Sequence, residues 1–545
     1  MRDCMFISSE QNQIFHLPII RQPDFIYVET ENKTFALNSA PEEFRLQDVT
    51  VFCQEQKNGL TISLQAEQSL VRFVTLRWCM TIPQKTRIMG DALERSYGDL
   101  EWRGMVPERY FPWYFLITNG FHTIGCGVKT APSALCYWQA DDSGVTLCLD
   151  VRNGDMGVFL NGRCLEAAEI VMEECDEIRP YEAAVRLCKK MCKNSLLPAK
   201  PVYGINDWYY AYGTSSRESI LRDTKLLMSL SPNDGNPPYA VIDDGWQQTY
   251  APGMDNDGGP WSEANERFLD MKTLAQDIKK LGAIPGIWFR PLLHQKQDLP
   301  KEMYLKNRSG RLDISNPKVL TQIAKDVHRF NDWGYRLIKY DFTTYDIFGK
   351  WGFHLAPKSS LNGLRFQDNT KTNAELIRKL YETIYHAATP DTIILGCNCI
   401  GHLGVGTMHV YRTGDDTSGK NWERTRKMGV NTLAFRLPQH NIFYAVDADC
   451  IGMTGNIPWD LNKEWLRLLQ NSGTPLFVSA DSNTITIEQQ EDLRAAYQQA
   501  SKQTNSLEPI DWLHTTCPTK WMVNGIITQF HWFENTGLSI TSPCE

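Results

Sequence analysis

From the first residues to about residue 170, apolar and polar positions alternate in short runs such as "FIYVET", "LVRFVTLRWCM" and "GVTLCLDVRNGDMGVFLNG", with turn residues close between them. A period of two, enriched in β-branched and aromatic residues, marks half-buried strands, and the pattern predicts an N-terminal antiparallel β-sandwich over residues 1–175. Residues 176–200, "DEIRPYEAAVRLCKKMCKNSLLPAK", change period and predict a helix leading into a Pro-bounded linker. After Pro201 the rhythm changes again, to short apolar runs each followed by a polar loop and then a helical pattern. The runs are "VYGINDWYY", "YAVIDDGW", "IPGIWF", "RLIKYDF", "TIILGCN", "TMHVYRTGDD", "FYAVDAD" and "TPLFVSAD". The helices between them are legible. In "SSRESILRDTKLLMSLS", Ser215 and Glu218 read as a capping box ahead of one apolar face formed by Ile220, Leu221, Thr224, Leu227 and Met228. Eight strand-and-helix units predict a central (β/α)₈ TIM barrel over residues 201–505. A doubly wound sheet would need a Gly-rich turn after its first strand, and "VYGINDW" has none. Residues 506–545 carry strand-like runs and no helical period, too little for a domain, and predict a short C-terminal β appendage.

Composition narrows the picture. The 545 residues suit two or three domains, and 42% hydrophobic with 22% charged residues is ordinary for folded protein. A net charge of −8 and a pI near 5.8 argue against nucleic acid or an anionic membrane as partner. No leader-like apolar core opens the chain and no later run is long enough to span a bilayer, so the expected location is the cytoplasm. Fifteen scattered cysteines fit reduced thiols. Cys188 and Cys192 lack a second pair at zinc-binding spacing, as do Cys397 and Cys399, and neither metal nor cofactor is expected.

The charges then become informative. Leu337 and Ile338 in "RLIKYDFTTY" suit a buried strand, yet the run continues into Lys339 and Asp341. A single such case is met by a structural ion pair. Here, however, strand two ends in Asp243 and Asp244, followed by Gly245 and Trp246, and strand three ends in Trp288 and Arg290. Strand six ends in Arg412, Asp415 and Asp416, and strand seven in Asp447 and Asp449. Five strands would bring carboxylates and cations to the one rim where such barrels hold their chemistry, which predicts an enzyme. Two carboxylates from different strands, about 5–5.5 Å apart, with cations and aromatic rings around them, are what a retaining glycosidase requires. One attacks the anomeric carbon and the other, protonated, serves the leaving oxygen. Lys339 would hold a neighbouring carboxylate or a sugar hydroxyl. Trp208, Trp246 and Trp288 could line a sugar site or pack the core.

Taken in order, "VIDDGWQ", "GIWFRP", "IKYDF" and "YRTGDDTS" resemble the α-galactosidases of glycoside hydrolase family 36 and their clan. "MGDALERSYGDLEW" resembles a segment of that family's sandwich domain, and the likeness spans roughly residues 1–485. The resemblance implies Asp341 as nucleophile and, four residues after Arg412, Asp416 as acid/base, with the adjacent Asp415 as its rival. It implies that Asp243 and Asp244 bind the 4- and 6-hydroxyls of a galacto-configured sugar. The chain departs from the family at Tyr340 and Thr343, where tryptophan and asparagine are common, in "GCNCIG", and in its short C-terminal segment.

The expected function is a retaining, exo-acting α-galactosidase on small soluble α-galactosides or oligosaccharides. α-N-Acetylgalactosaminide hydrolysis and galactosyl transfer are close alternatives that turn on residues near the sugar's 2-position, for which Cys397 and Asn398 are candidates. A non-catalytic sugar-binding protein would be expected to lose one of the two carboxylates. A metal-dependent hydrolase lacks paired histidines, only His402 and His409 of the eleven lying near a strand end. No nucleic-acid or membrane partner is expected, and a homo-oligomer is left open.

Overall fold

In the computed structural model of the chain, residues 14–40, 43–176, 178–250, 257–296, 298–502 and 506–533 are described. The first thirteen residues of the expected sandwich and residues 534–545 of the C-terminal segment lie outside them. The chain divides into two compact units.

The first unit comprises residues 1–93, 101–193 and 354–377. It contains two antiparallel sheets. One runs through Thr34–Ala36, Phe25–Thr30, Leu70–Cys79, Gly144–Asp150, Leu135–Asp141 and Tyr110–Pro112. The other runs from Asn38–Ala40 through Glu43–Leu46, Val49–Gln56, Gly59–Ala66, Cys164–Asp176, His122–Val128 and Tyr114–Thr118 to Arg87–Gly90. Phe115 of the second packs on Trp138 of the first at 5.6 Å. The alternation seen in sequence is burial: Gly59–Ala66 buries every second side chain from Leu60 to Ala66. The helix Pro180–Met191, expected as a linker, instead belongs to this unit. Gly125 and Gly127 leave room for it, since a Cβ on either would meet Leu187 Cδ2 at 2.8 Å or Met191 Sδ at 2.3 Å. The two units also interleave along the chain, residues 94–100 joining the second and 354–377 the first.

The second unit holds a parallel sheet. Its strands are β1 (Tyr203–Asn206), β2 (Tyr239–Ile242), β3 (Ile284–Phe289), β4 (Leu337–Tyr340), β5 (Ile393–Gly396), β6 (Val410–Arg412), β7 (Ala445–Asp447), β8 (Ile451–Met453) and β9 (Leu476–Ala480). Their order is β7-β6-β5-β4-β3-β2-β1-β9-β8. The two ends of that path are consecutive in the chain, so the sheet returns on itself through the short break at Ala448–Cys450, a TIM-like arrangement. The break centres on Asp449, a non-glycine residue at φ +83°. Between strands the helices bury one stripe. Met271–Leu281 buries Met271, Leu274, Ala275 and Ile278, is capped by the Asp270 side chain on the Lys272 N–H, and ends at Gly282 in the left-handed region. The capping box before Arg217–Leu230 is formed by Ser216 and Ser219, one residue later than expected from Ser215 and Glu218.

The sheet's inner face explains where charge is tolerated. Tyr239, Val241, Leu337, Ile393, Leu395, Val410, Ala445 and Phe477 form one buried cluster. Two residues further along, the same face reaches Asp243, Lys339, Arg412, Asp447 and Ser479, and only on β5 does it stay in the cluster, at Cys397. The apolar layer is therefore overlaid by a polar one at the C-terminal ends. The described part of the C-terminal segment adds three antiparallel strands, Leu507–Pro509, Lys520–Val523 and Ile526–Gln529, with Trp521 and Trp532 fully buried. Among the described residues no helix is long and apolar enough to cross a membrane.

Candidate active site

A cavity of about 260 Å³ opens at the C-terminal ends of the strands. Asp243 and Asp244 after β2, Trp288 on β3, Lys339 and Asp341 at the end of β4, Arg412 and Asp416 at β6, and Trp208 after β1 all line it. All eight were singled out from the sequence.

The charges are arranged in three sets. Lys339 Nζ donates to Asp243 Oδ2 at 2.7 Å, and Asn206 Nδ2 donates to the same oxygen at 2.6 Å. Burial works against the ammonium, but Asp243 outweighs it and holds the lysine charged. This pairing answers why a buried strand carries Lys339: it lies on the inner face with Leu337 and Asp341 and meets the aspartate at the end of β2, two strands away. In the second set, Arg412 NH1 lies 2.7 Å from Asp449 Oδ1 and NH2 lies 2.9 Å from Asp416 Oδ1. Tyr209 OH and the Thr417 N–H also hold Asp449. Withdrawal from bulk water raises the Asp416 carboxyl, but Arg412, then Arg95 and Lys339, outweigh it and hold it below the usual carboxylate range. Asp416 keeps 38% of its side chain open.

The third set is electrically different. Asp341 accepts from Trp288 Nε1 at 3.0 Å on Oδ2, and from Asn398 Nδ2 at 2.6 Å and the Phe342 N–H at 2.7 Å on Oδ1. All three donors are neutral, and among the described residues Asp341 makes no ion pair. The backbone at Phe342 sits at φ +61°, costly for an aromatic residue, and turns the chain from β4 into the helix Thr343–Phe348. The Phe342 ring lies 4.3 Å from the Arg290 guanidinium, which Asp346 grips at 2.7 and 2.8 Å.

Asp244 accepts from Gln247 Nε2 at 2.7 Å. Burial, and then the nearby Asp257, push its carboxyl well up. Asp257 is itself raised to about 6 by burial, with Arg290 opposing. A carboxyl that takes up a proton in this acidic corner would offer donor as well as acceptor capacity.

Three expected residues lie elsewhere. Trp246 is fully buried among Trp261, Phe330 and Trp333, with ring centroids 5.8–6.1 Å away, and its Nε1 donates to Trp288 O at 2.8 Å. It supports Trp288 from the core. Cys397 belongs to the apolar cluster, its thiol pushed up by burial and then by Asp341. Asp415 does not line the cavity; Arg95 and Arg424 hold its two oxygens at 2.9 and 2.7 Å. The two adjacent carboxylates thus differ, Asp416 facing the cavity and Asp415 turned into an ion-pair network.

Asn206, Tyr209, Tyr250, Asp257, Phe342 and Cys450 also line the cavity and were not singled out, while Asn398 and Asp449 had been noted. The rule that chemistry sits at strand ends, applied to "GINDW", would have found Asn206. Asp257 lies in a loop with no periodic signal.

The parallel sheet with antiparallel sheets ahead of it defines a TIM-like protein with β-sheet units. No family profile matches the chain. Solved structures do share its fold. TtGalA, an α-galactosidase from Thermus thermophilus in complex with p-nitrophenyl α-D-galactopyranoside, superposes over 93% of this chain and 99% of its own, with a TM-score of 0.59 and 15% identity. AgaA, a GH36 α-galactosidase from Geobacillus stearothermophilus, matches over 92% of this chain and 79% of its own, with a TM-score of 0.60 and 14% identity. The galactosidase domain of the α-galactosidase-sucrose kinase AgaSK matches over 92% and 75%, with a TM-score of 0.58 and 15% identity. The chain has the fold of these GH36 α-galactosidases.

Proposed function

We propose that the chain is a retaining, exo-acting glycoside hydrolase of the family 36 kind that releases terminal α-linked galactose from small galactosides by double displacement. The observation that carries this reading is one cavity holding two differently prepared carboxylates: Asp341, oriented by neutral donors alone, and Asp416, gripped by a guanidinium. Without an ion pair, Asp341 keeps its charge available for the anomeric carbon. Its Oδ2, with one donor against two on Oδ1, is the freer oxygen and makes the attack. Asp416 gives its proton to the leaving oxygen and then takes one from water. Asp243 and Asp244 receive the sugar's hydroxyls, with Lys339 fixing the first. A cavity of about 260 Å³, small among ligand pockets, suits one terminal ring better than the interior of a chain. The α-galactosidases that share the fold, one of them bound to stachyose, support the substrate class.

A panel of nitrophenyl α-glycosides with galacto, N-acetylgalactosamino, gluco and arabino configurations tests it. Sites that hydrogen-bond a hydroxyl reject analogues that misplace it by roughly 10⁴-fold, so the galactoside should lead the glucoside by that order. Faster cleavage of the glucoside would remove Asp243 and Asp244 from the sugar site. Faster cleavage of the N-acetylgalactosaminide would move the function to that substrate with the carboxylate roles unchanged.

A smaller effect is expected from Trp288→Phe, which keeps a ring and deletes one donor to Asp341. A hydrogen bond to a charged group contributes about 1.5–3 kcal/mol, so kcat should fall roughly 10- to 100-fold with little change in unfolding temperature. An unchanged kcat would mean that Trp288 does not orient the attacking oxygen.

A further inference from the structure

The segment Glu94–Leu100, "ERSYGDL", belongs with the parallel-sheet unit although the residues on either side of it belong with the other. Its main chain is fastened beside the loop after β6, 317 residues away. The Ser96 N–H donates to Thr413 O at 2.8 Å, and the Asp415 N–H donates to Ser96 O at 2.9 Å, as in a short parallel pair. Ser96 Oγ meets Thr432 Oγ1 at 2.9 Å, the Asn431 side chain clasps the Leu100 N–H and carbonyl at 3.2 and 2.8 Å, and Arg436 donates to Glu94 O at 2.7 Å. Gly98 is at φ +68°, and a Cβ there would lie 2.5 Å from Lys427 Cγ, so the turn needs glycine.

All of this registers one side chain. Arg95 is 7% exposed, with NH1 2.9 Å from Asp415 Oδ1 and 3.9 Å from Asp416 Oδ1. Its guanidinium lies 4.8 Å from the Trp351 ring and 5.2 Å from that of Tyr97, and Nε donates to Tyr97 OH at 3.0 Å. A buried guanidinium is costly to place, and here the aromatic packing and the Asp415 pair offset that cost at the one spot that also reaches Asp416.

We propose that Arg95 is a positioning residue for Asp416, completing with Arg412 a two-guanidinium cradle that fixes this carboxylate and governs when it is protonated. The inference rests on the reading of Asp416 as acid/base. The groups facing Asp416 are Arg412 from β6, Lys339 from β4, Arg95, and Arg424, whose Nε donates to Asp416 O at 2.7 Å. Against them stand Asp415, Asp449 across the Arg412 guanidinium, and the phenols Tyr209 and Tyr212. Removing a cation from this set lets the carboxyl protonate at higher pH; removing an anion does the reverse.

The test is the pH profile of kcat/KM on an unactivated α-galactoside, which falls as pH rises through ionisation of the acid in free enzyme. Arg95→Gln should move that alkaline limb up by roughly one unit, whereas Arg95→Lys should leave it near the parent's. Asp415→Asn, nearly isosteric, should move it down. An Arg95→Gln enzyme with lower activity but the parent's limb would overturn the proposal, leaving Arg95 a purely structural fastening. If Arg95→Gln does not fold, an unmoved or rising limb in Asp415→Asn overturns it equally. Should the parent cleave no α-galactoside, the functional reading fails separately. The Asp416 carboxyl is then titrated by ¹³C NMR in parent and Arg95→Gln, a higher midpoint in the variant supporting the cradle and an equal one overturning it.

Discussion

Asp341→Ala is expected to lower turnover of any α-galactoside by at least about 10⁴-fold, the scale on which loss of a nucleophile is felt. The variant should still fold. Its loss leaves Trp288 Nε1, Asn398 Nδ2 and the Phe342 N–H without their acceptor. Each donor left dry would cost about 1–3 kcal/mol, but the position opens on a polar cavity that water can enter. The same space admits a small anion. Azide should restore part of the activity and, because it attacks from the face Asp341 occupied while the acid still serves the leaving group, yield the β-configured galactosyl azide from an α-galactoside. Activity close to the parent's, or rescue that gives the α-azide, would end the assignment of Asp341.

Much of this arrangement was legible in the sequence because the barrel's chemistry has a fixed address. All eight apolar runs after Pro201 contain strands of the parallel sheet, and the polar residues that follow them cluster because alternate positions share the inner face. Lys339 illustrates why residue type and position were enough: a lysine two residues past Leu337 on a buried strand has to meet an acid, and Asp243 is on the same rim. Trp246 shows the opposite. Trp246 and Trp288 carry the same compositional signal, and only the direction of each ring, set by packing against Trp261 and Phe330, separates support from lining. Cys397 stayed in the apolar layer because a small, weakly polar side chain needs no partner there.

What stayed hidden is long-range. Arg95 sits in a run that reads as sandwich, and nothing local in "ALERSYG" points to a carboxylate more than three hundred residues later. The interleaving of the two units was hidden for the same reason, since the chain leaves one unit and returns to it at residues 94–100 and again at 354–377. Strand seven was read as one run, yet it is broken at Asp449, whose left-handed backbone delivers a carboxylate to Arg412. That ion pair is a tertiary demand overriding a strand's local preference.

Asp416→Ala should separate two kinds of substrate. A natural galactoside leaves as an alkoxide unless it is protonated, and a positioned acid contributes typically 10²- to 10⁴-fold, so its cleavage should fall by that order. A nitrophenyl galactoside leaves as a stabilised phenolate and needs little help in the first step. Its galactosyl-enzyme would then accumulate, because Asp416 also serves as the base toward water, so kcat falls while KM falls with it and a burst of nitrophenol becomes visible. Arg412 and Arg95 hold the empty site's Asp416 ionised, which favours the second step and leaves the first short of acid. The parent should therefore prefer acidic conditions on unactivated substrates more than on nitrophenyl ones. Asp415→Ala is the control that decides between neighbours. Its carboxylate is engaged by Arg95 and Arg424 away from the cavity, so its loss should cost unactivated substrates only the small amount by which Asp416 becomes harder to protonate, far less than Asp416→Ala costs them. If instead Asp415→Ala cripples the natural galactoside while sparing kcat/KM of the nitrophenyl compound, and Asp416→Ala lowers kcat/KM of both, the acid/base is Asp415, and the cavity-facing carboxylate serves to bind sugar.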